Sequence, residues 1–373
     1  MGELIQELRL DLPPRLLFGW GAFGSLRAQS EALGLRRPLL VTDDGVAAVG
    51  LAARAQEALP GALLFTGVHA NPSEDDVLAG LDAYRAGGCD GIVALGGGSP
   101  LDAAKAIRLL TSHPGPLSRY ERTRGGDQLI GPDLPPMVAI PTTAGTGSEV
   151  GRGALIVLRE SGRKALILSP HLLPSCSICD PELTLRLPAA LTAATGFDAL
   201  SHCIEELLAA RPHPLVDALA AEGLRLIAGN LSRAVADGSD REAREAMLLG
   251  SLYGGIGFQK GLGAVHALSH PLASLRVHHG TANAILLPHV IRFNRTAVPA
   301  GYGRLVEVLR ADPAVWVEKL LAETGLPTRL SEVGLRRDRI PALAEAALLD
   351  FTAASNPRPL NLEDCIALYE QAL

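Results

Sequence analysis

The sequence predicts an α/β domain, a parallel sheet with flanking helices, followed by an all-α domain. Three observations predict it. In the first half, short apolar or β-branched runs alternate with helical patterns. Past about residue 185 the texture changes to long alanine- and leucine-rich helical stretches. A chain of 373 residues with 47% hydrophobic content also exceeds the size at which one core usually stops growing. The expected division is 1–184 and 185–373, with Pro181 and Pro188 bracketing the change.

Taken in order, RPLLVTD, ALLFTGV, DGIVALGGGS and MVAIPTT read as strands, and GVAAVGLAARAQEAL, SEDDVLAGLDAYRAGG and PLDAAKAIRLLTS as the helices between them. Such alternation implies a parallel sheet covered on both faces. PLVDALAAEGLRLIAGNLSRAVADG and REAREAMLLGSLYGGIGF carry the helical period of the second half. Cys176 and Cys179 form a CxxC in LLPSCSICDPE. Their surroundings read as a strand, where positions i and i+3 face opposite sides, so they are expected as buried small residues and not as a redox or zinc pair.

Composition narrows the function classes. The formal charge of -6 comes from 34 basic and 40 acidic residues without a long basic run, which leaves no footprint for nucleic acid or anionic lipid. Small uncharged or anionic metabolites remain. The N-terminus MGELIQELRLDLPP carries acids where a leader carries bases, and no apolar run reaches the length of a membrane span. Five scattered cysteines fit a reducing compartment, so a cytoplasmic protein is expected.

Two loops carry a phosphate-binding signal. DGIVALGGGSPLDAAKAI reads as a buried strand ending at Leu95, then three glycines, Ser99 as N-cap, Pro100 at the first helical position and Asp102 in the first turn. A helix start approached through glycines offers free N–H groups to a pyrophosphate. AIPTTAGTGSEV adds Thr142, Thr143, Thr146 and Ser148 as hydroxyl donors at a second strand end. Asp43 closes the run PLLVT, where a carboxylate accepts from ribose hydroxyls and repels a 2′-phosphate, favouring NAD over NADP. Taken alone, Asp43 reads better as the N-cap of the following helix.

The second half carries a metal signal. Asp198 and His202 lie four residues apart in GFDALSHCIEE, and five of the ten histidines (His266, His270, His278, His279 and His289) crowd AVHALSHPLASLRVHHGTANAILLPHV. Residues at i and i+4 share a helix face, so Asp198 with His202 and His266 with His270 form two pairs that could share one ion. One carboxylate with several imidazoles suits Fe(II), Zn(II), Mn(II) or Ni(II).

GGGSPLDAAK, PTTAGTGSEV, GFDALSHCIEE and HALSHPL…HHGTANAILLPHV, in this order, resemble the iron-containing (group III) alcohol dehydrogenases. The resemblance runs from LLFGWGAFGSL to NPRPLNLED. It implies a dehydroquinate synthase-like fold: an NAD-binding α/β domain and a helical domain that carries the metal. It implies Asp198, His202, His266 and His279 as ligands to Fe(II), with Zn(II) or another divalent ion as substitutes. His270 becomes a non-ligand beside nicotinamide and substrate, a candidate proton relay. Gly97, Gly98 and Ser99 match the pyrophosphate loop with Asp102 behind it. Asn71, Thr142, Thr143, Thr146, Lys164 and Leu183 match positions around the cofactor, and Asp43 matches the carboxylate of NAD preference.

The implied activity is hydride transfer between a small alcohol or aldehyde and NAD(H), in a homo-oligomer, most often a dimer. Two departures stand out. The stretch from His270 to His279 is one residue short, with His278 where proline is common, which leaves His278 as an alternative last ligand. GGIGFQKGLG brings in Lys260, and with Gly151 and Gly153 this points to a roomier, more cationic pocket and a polar or carboxylate-bearing substrate. Glycerol dehydrogenase-like or hydroxy-acid dehydrogenase activity within the same fold group is the alternative. A dinucleotide- or metal-sensing protein is the rival from another class.

Overall fold

In a computed structural model of the chain, residues 8–373 are described. The first seven residues, on which the reading of an acidic N-terminus partly rests, lie outside the described residues. By their contacts, residues 11–143 and 148–186 form one unit, the sheet unit, and residues 187–373 with 144–147 and 8–10 form a second, the helical unit.

The sheet unit contains β1 (Leu16–Phe18), β2 (Leu39–Val41), β3 (Leu63–Phe65), β4 (Ile92–Gly96), β5 (Met137–Pro141), an antiparallel hairpin of β6 (Gly153–Val157) and β7 (Lys164–Leu168), and β8 (Cys176–Cys179). Six strands form a parallel sheet in the order β1-β8-β5-β4-β2-β3. Its helices are α1 (Leu26–Ala32), α2 (Asp44–Ala48), α3 (Leu51–Ala58), α4 (Glu74–Ala86) and α5 (Gly98–Ser112). Strands β2, β4, β5 and β8 are buried along their whole length, as parallel strands covered on both faces must be. Their side chains alternate between two cores. Ile92, Ala94, Met137 and Ala139 pack with Leu81 and Ile107 on one face. Val93, Leu95, Val138 and Ile140 pack with Leu26 and Ala55 on the other.

The chain steps from β2 outward to β3 and then returns to lay β4 on the opposite side of β2. That reversal opens a crevice at the carboxyl ends of β2 and β4, the place where open parallel sheets take ligands.

The helical unit comprises α6 (Ala189–Leu208), α7 (Pro214–Ala236), α8 (Arg241–Gly257), α9 (Ala264–Ser269), α10 (His279–Asn294), α11 (Pro299–Leu309), α12 (Pro313–Thr324), α13 (Ile340–Leu348) and α14 (Leu362–Ala372). Helix α6 is its axis, packed by α7, α8 and α10. Every residue from Thr192 to Leu208 is buried. A helix buried all round must satisfy its polar side chains internally. In α6 those include Asp198, His202 and Glu205.

Two expectations shift. Helix α5 begins at Gly98 with Gly97 as N-cap, so Ser99 lies inside the first turn, Pro100 is the third helical residue and Asp102 falls beyond the first turn. The strand runs one residue further, to Gly96, whose φ of 154° and tight approach to Pro100 (2.6 Å from an added Cβ to Pro100 Cγ) admit only glycine. With the turn taken at Gly96 and Gly97, the helix starts before Ser99 can cap it. Cys176 and Cys179 are buried free thiols in β8, as the strand reading expects.

Candidate metal and cofactor sites

Within the helical unit, α6 presents Asp198, His202 and Glu205 from one face, at spacings of four and three residues. Helix α9 adds His266, and α10 begins at His279. Three imidazole Nε2 atoms converge on one oxygen, Asp198 Oδ1: His202 at 3.4 Å, His266 at 3.7 Å and His279 at 3.4 Å. Ligands held about 2.1 Å from a tetrahedral ion stand about 3.4 Å apart. The donor set and its spacing therefore fit a divalent metal. His279, not His278, makes the approach; His278 is exposed and precedes α10. Gly280 allows it, because a Cβ there would lie 1.9 Å from the Ala194 carbonyl oxygen of α6.

A further shell orients these groups. Glu205 accepts from the Val265 N–H (2.7 Å) and pairs with His266 Nδ1 at 2.6 Å, leaving Nε2 turned to Asp198. Asn283, one turn beyond His279, donates through Nδ2 to Asp198 Oδ1 at 2.8 Å. The His202 ring stacks on His266 with centroids 4.8 Å apart and meets the edge of Phe258 at 4.6 Å. Burial opposes the charge on Asp198, but the imidazoles of His202, His279 and His266 outweigh it and hold the carboxyl far below the usual range. Burial pushes His202 down to about 4 against the pull of Asp198. For His266 burial also acts downward, yet Glu205 and Asp198 carry it up to about 9.

His270 does not join His266 on this oxygen. Helix α9 ends at Ser269, and His270 opens a tighter 3₁₀ turn, His270–Leu275. The α-helical i,i+4 phase that paired it with His266 is lost there. Its ring stacks on His279 at 5.2 Å and on Phe351 at 5.7 Å.

In the sheet unit, Asp43 lies two residues past β2 and caps α2, accepting from the Val46 N–H at 2.8 Å. Beside it, Gly97, Gly98 and Ser99 open α5 with no side-chain cap, which leaves first-turn N–H groups for an anion. The Thr142 N–H donates to the Gly96 carbonyl (2.9 Å), and an added Cβ on Gly97 would lie 3.3 Å from Thr143, so the two loops adjoin. Asn71 holds a positive φ of 56° in the loop before α4, a conformation asparagine tolerates. Thr146 lies in the segment that groups with the helical unit.

Three of the expected cofactor positions are engaged in structure. Asp102 accepts from Ser148 Oγ (2.6 Å) and the Leu155 N–H (3.0 Å); burial pushes its carboxyl up, against the nearby charges of Lys105 and Lys164. Lys164 begins β7 and is half-buried. Leu183 is buried in the core beside Val46.

Lys260 is not a pocket cation. Its buried Nζ donates to the Glu206 carbonyl (2.5 Å) and to Asp217 Oδ1 (2.6 Å). At Gly153 an added Cβ would meet Leu166 at 2.9 Å across the hairpin. With Lys260 engaged by Glu206 and Asp217, it does not supply the expected cationic character of the pocket.

Sequence reasoning passed over Glu205 and Asn283, though each repeats a helical spacing from a residue it did pick: Glu205 is three beyond His202, and Asn283 is four beyond His279. Lys105 was also missed; its buried Nζ donates to Ser148 O and Oγ, Gly151 O and Gly153 O at 2.7–2.9 Å.

Known proteins are similar to this chain along nearly its whole length. The sequence model for iron-containing alcohol dehydrogenase matches residues 13–181, and the one for the C-terminal part of the Fe-containing alcohol dehydrogenase family matches 192–373. A 4-hydroxybutyrate dehydrogenase of Cupriavidus necator is 44% identical over 370 residues, 95% of this chain and 97% of the relative. A 1,3-propanediol dehydrogenase of Klebsiella pneumoniae is 40% identical, with 95% and 96% covered. A solved 1,3-propanediol oxidoreductase superposes with a TM-score of 0.95 at 38% identity, covering 99% of this chain and all of the other. The chain belongs to the iron-containing alcohol dehydrogenase family, oxidoreductases that use NAD(H) and iron or another divalent metal to act on alcohol CH–OH groups.

Proposed function

We propose that Asp198, His202, His266 and His279 hold the metal of this alcohol dehydrogenase and aldehyde reductase, and that His270 serves the reacting oxygen. The observation that carries the reading is the convergence of three Nε2 atoms on Asp198 Oδ1. NAD(H) is assigned to the crevice at the ends of β2, β4 and β5, with the pyrophosphate on Gly97, Gly98 and Ser99 and the ribose hydroxyls on Asp43. Asn71, Asp102, Thr142, Thr143, Thr146, Lys164 and Leu183 complete the proposed cofactor surroundings, Asp102 and Leu183 by shaping the loop and the crevice floor.

When bound, the metal supplies a Lewis acid that acidifies the alcohol hydroxyl. Glu205 fixes the His266 ring, and Asn283 keeps Asp198 Oδ1 turned inward. The alcohol loses a hydride to nicotinamide and its hydroxyl proton to His270; aldehyde reduction reverses both transfers.

For substrate we propose a short primary alcohol or aldehyde bearing a second oxygen, because relatives at 44% and 40% identity are named for 4-hydroxybutyrate and 1,3-propanediol. Turnover of 4-hydroxybutyrate, 1,3-propanediol and 1-butanol with NAD⁺ tests this; equal kcat/KM for 1-butanol contradicts it. The metal assignment is tested by elemental analysis, with Asp198→Ala and His202→Ala each expected to lose bound metal. Full metal content in either variant overturns it. A homo-oligomer, first of all a dimer, is the proposed assembly, checked by light scattering. A cytoplasmic location is proposed from the five free thiols; among the described residues no helix is long and apolar enough to cross a membrane.

A further inference from the structure

The His270 ring is buried and held on three sides. Phe351 and His279 stack against its faces, and Nδ1 lies 2.8 Å from Asp350 Oδ2. Asp350 is fixed in turn. Its other oxygen, Oδ1, accepts from the Thr352 N–H (2.9 Å) and from Thr352 Oγ1 (2.6 Å). The remaining ring nitrogen, His270 Nε2, is buried and meets no donor or acceptor among the described residues.

A carboxylate with both oxygens committed can only accept, so the proton of the neutral ring must sit on Nδ1 and the Nε2 lone pair stays bare. We infer that Asp350 is a positioning residue that locks His270 in the Nδ1–H tautomer, so that Nε2 can accept the alcohol proton. The inference rests on the reading that His270 serves the reacting oxygen. In the oxidation direction the O–H bond breaks and an Nε2–H bond forms, the electron pair stays on oxygen, and NAD⁺ takes the hydride from carbon. Asp350 then faces the cationic ring it has aligned.

Asparagine at 350 reverses the logic. It has one oxygen, which the two Thr352 donors claim, and its NH₂ turns toward Nδ1. The ring must then carry its proton on Nε2, where it can no longer accept one.

The test compares Asp350→Asn, Asp350→Glu, Thr352→Val and His270→Gln in the zinc-loaded protein. Expected for Asp350→Asn is a loss of at least 100-fold in kcat, up to the roughly 10⁴-fold loss seen when a catalytic histidine is forced into the wrong tautomer. KM for NAD⁺, NADH affinity and zinc content should stay within twofold. Asp350→Glu, which restores an acceptor-only group, should recover at least tenfold, and Thr352→Val should cost three- to tenfold. Nitrogen-15 NMR of labelled imidazoles, with the His270 signals identified by their loss in His270→Gln, should show a protonated Nδ1 in the native protein and in Asp350→Glu. Asp350→Asn should show a protonated Nε2. A kcat within threefold of the native value in Asp350→Asn, while His270→Gln is inactive, overturns the inference, as does an unchanged tautomer. If Asp350→Asn does not fold, an unprotonated Nδ1 in the native spectrum is decisive against it. A fully active His270→Gln removes the underlying reading instead, and the inference with it.

Discussion

Asp43 holds two roles that a single substitution can separate. Its side chain caps α2 through the Val46 N–H, and its charge stands at the end of β2 beside the proposed phosphate loop. Serine is as good an N-cap as aspartate but carries no charge. Asp43→Ser is therefore expected to leave the melting temperature almost unchanged while raising the NADP⁺ to NAD⁺ ratio of kcat/KM on the order of tenfold, the gain from relieving one repulsion of about 1.4 kcal/mol. Steady-state kinetics with both cofactors checks it; an unmoved ratio would leave Asp43 as a cap alone. At this scale much of the candidate site was legible. Asp198, His202, His266 and His279 could be named because helical spacing and motif order survive in the sequence. Asp350 could not, since it meets His270 across eighty residues and no local pattern links them.

Among elements, the β6–β7 hairpin depends on one lysine of a different element. Lys105 of α5 reaches Ser148, Gly151 and Gly153 with a fully buried ammonium, and burial lowers it to about 8 against the pull of Asp102 and Glu149. Lys105→Met fills similar space and leaves three backbone carbonyls without that donor, each costing about 1–3 kcal/mol. The expected result is a loss of about 3–5 kcal/mol in denaturant unfolding. Amide exchange should rise selectively at residues 148–157. Uniform exchange along the chain would show that Lys105 is not the hairpin's anchor. The strands of the parallel core were legible because continuous burial leaves continuous apolar runs. The hairpin was not read although GALIV and KALIL are apolar runs, because it stands apart from the parallel sheet and its anchor lies on α5. The start of α5 was misplaced for a related reason: Gly96 and Gly97 make the turn themselves, and Ser99 resembles a cap only when the glycines are taken as loop.

For the whole molecule, the two proposed ligands divide between the two units. The four proposed metal-binding positions run from Asp198 to His279, all in the helical unit, whereas the proposed cofactor positions from Asp43 to Leu183 lie in the sheet unit, except Thr146. A ligand that binds only the native form of a unit stabilises it by about 2.7 kcal/mol at a hundred times its dissociation constant, which slows exchange through unfolding of that unit about 100-fold. Chelation of the metal should therefore accelerate amide exchange in α6, α9 and α10 and leave β2, β4 and α5 nearly as they were. NADH added to the chelated protein should do the reverse, protecting the first turn of α5 and the Thr142–Thr143 loop, with protection running on into residues 144–147, which belong to the helical unit by their contacts. That segment is the expected exception, since the proposed cofactor loop continues through it while its contacts group it with the helical unit. Exchange mass spectrometry of the native, chelated and NADH-bound protein decides the matter. Equal acceleration of both units on chelation would mean that they unfold as one, with metal stability reaching the sheet; acceleration in the sheet unit alone would place the metal elsewhere than on Asp198 and its three histidines.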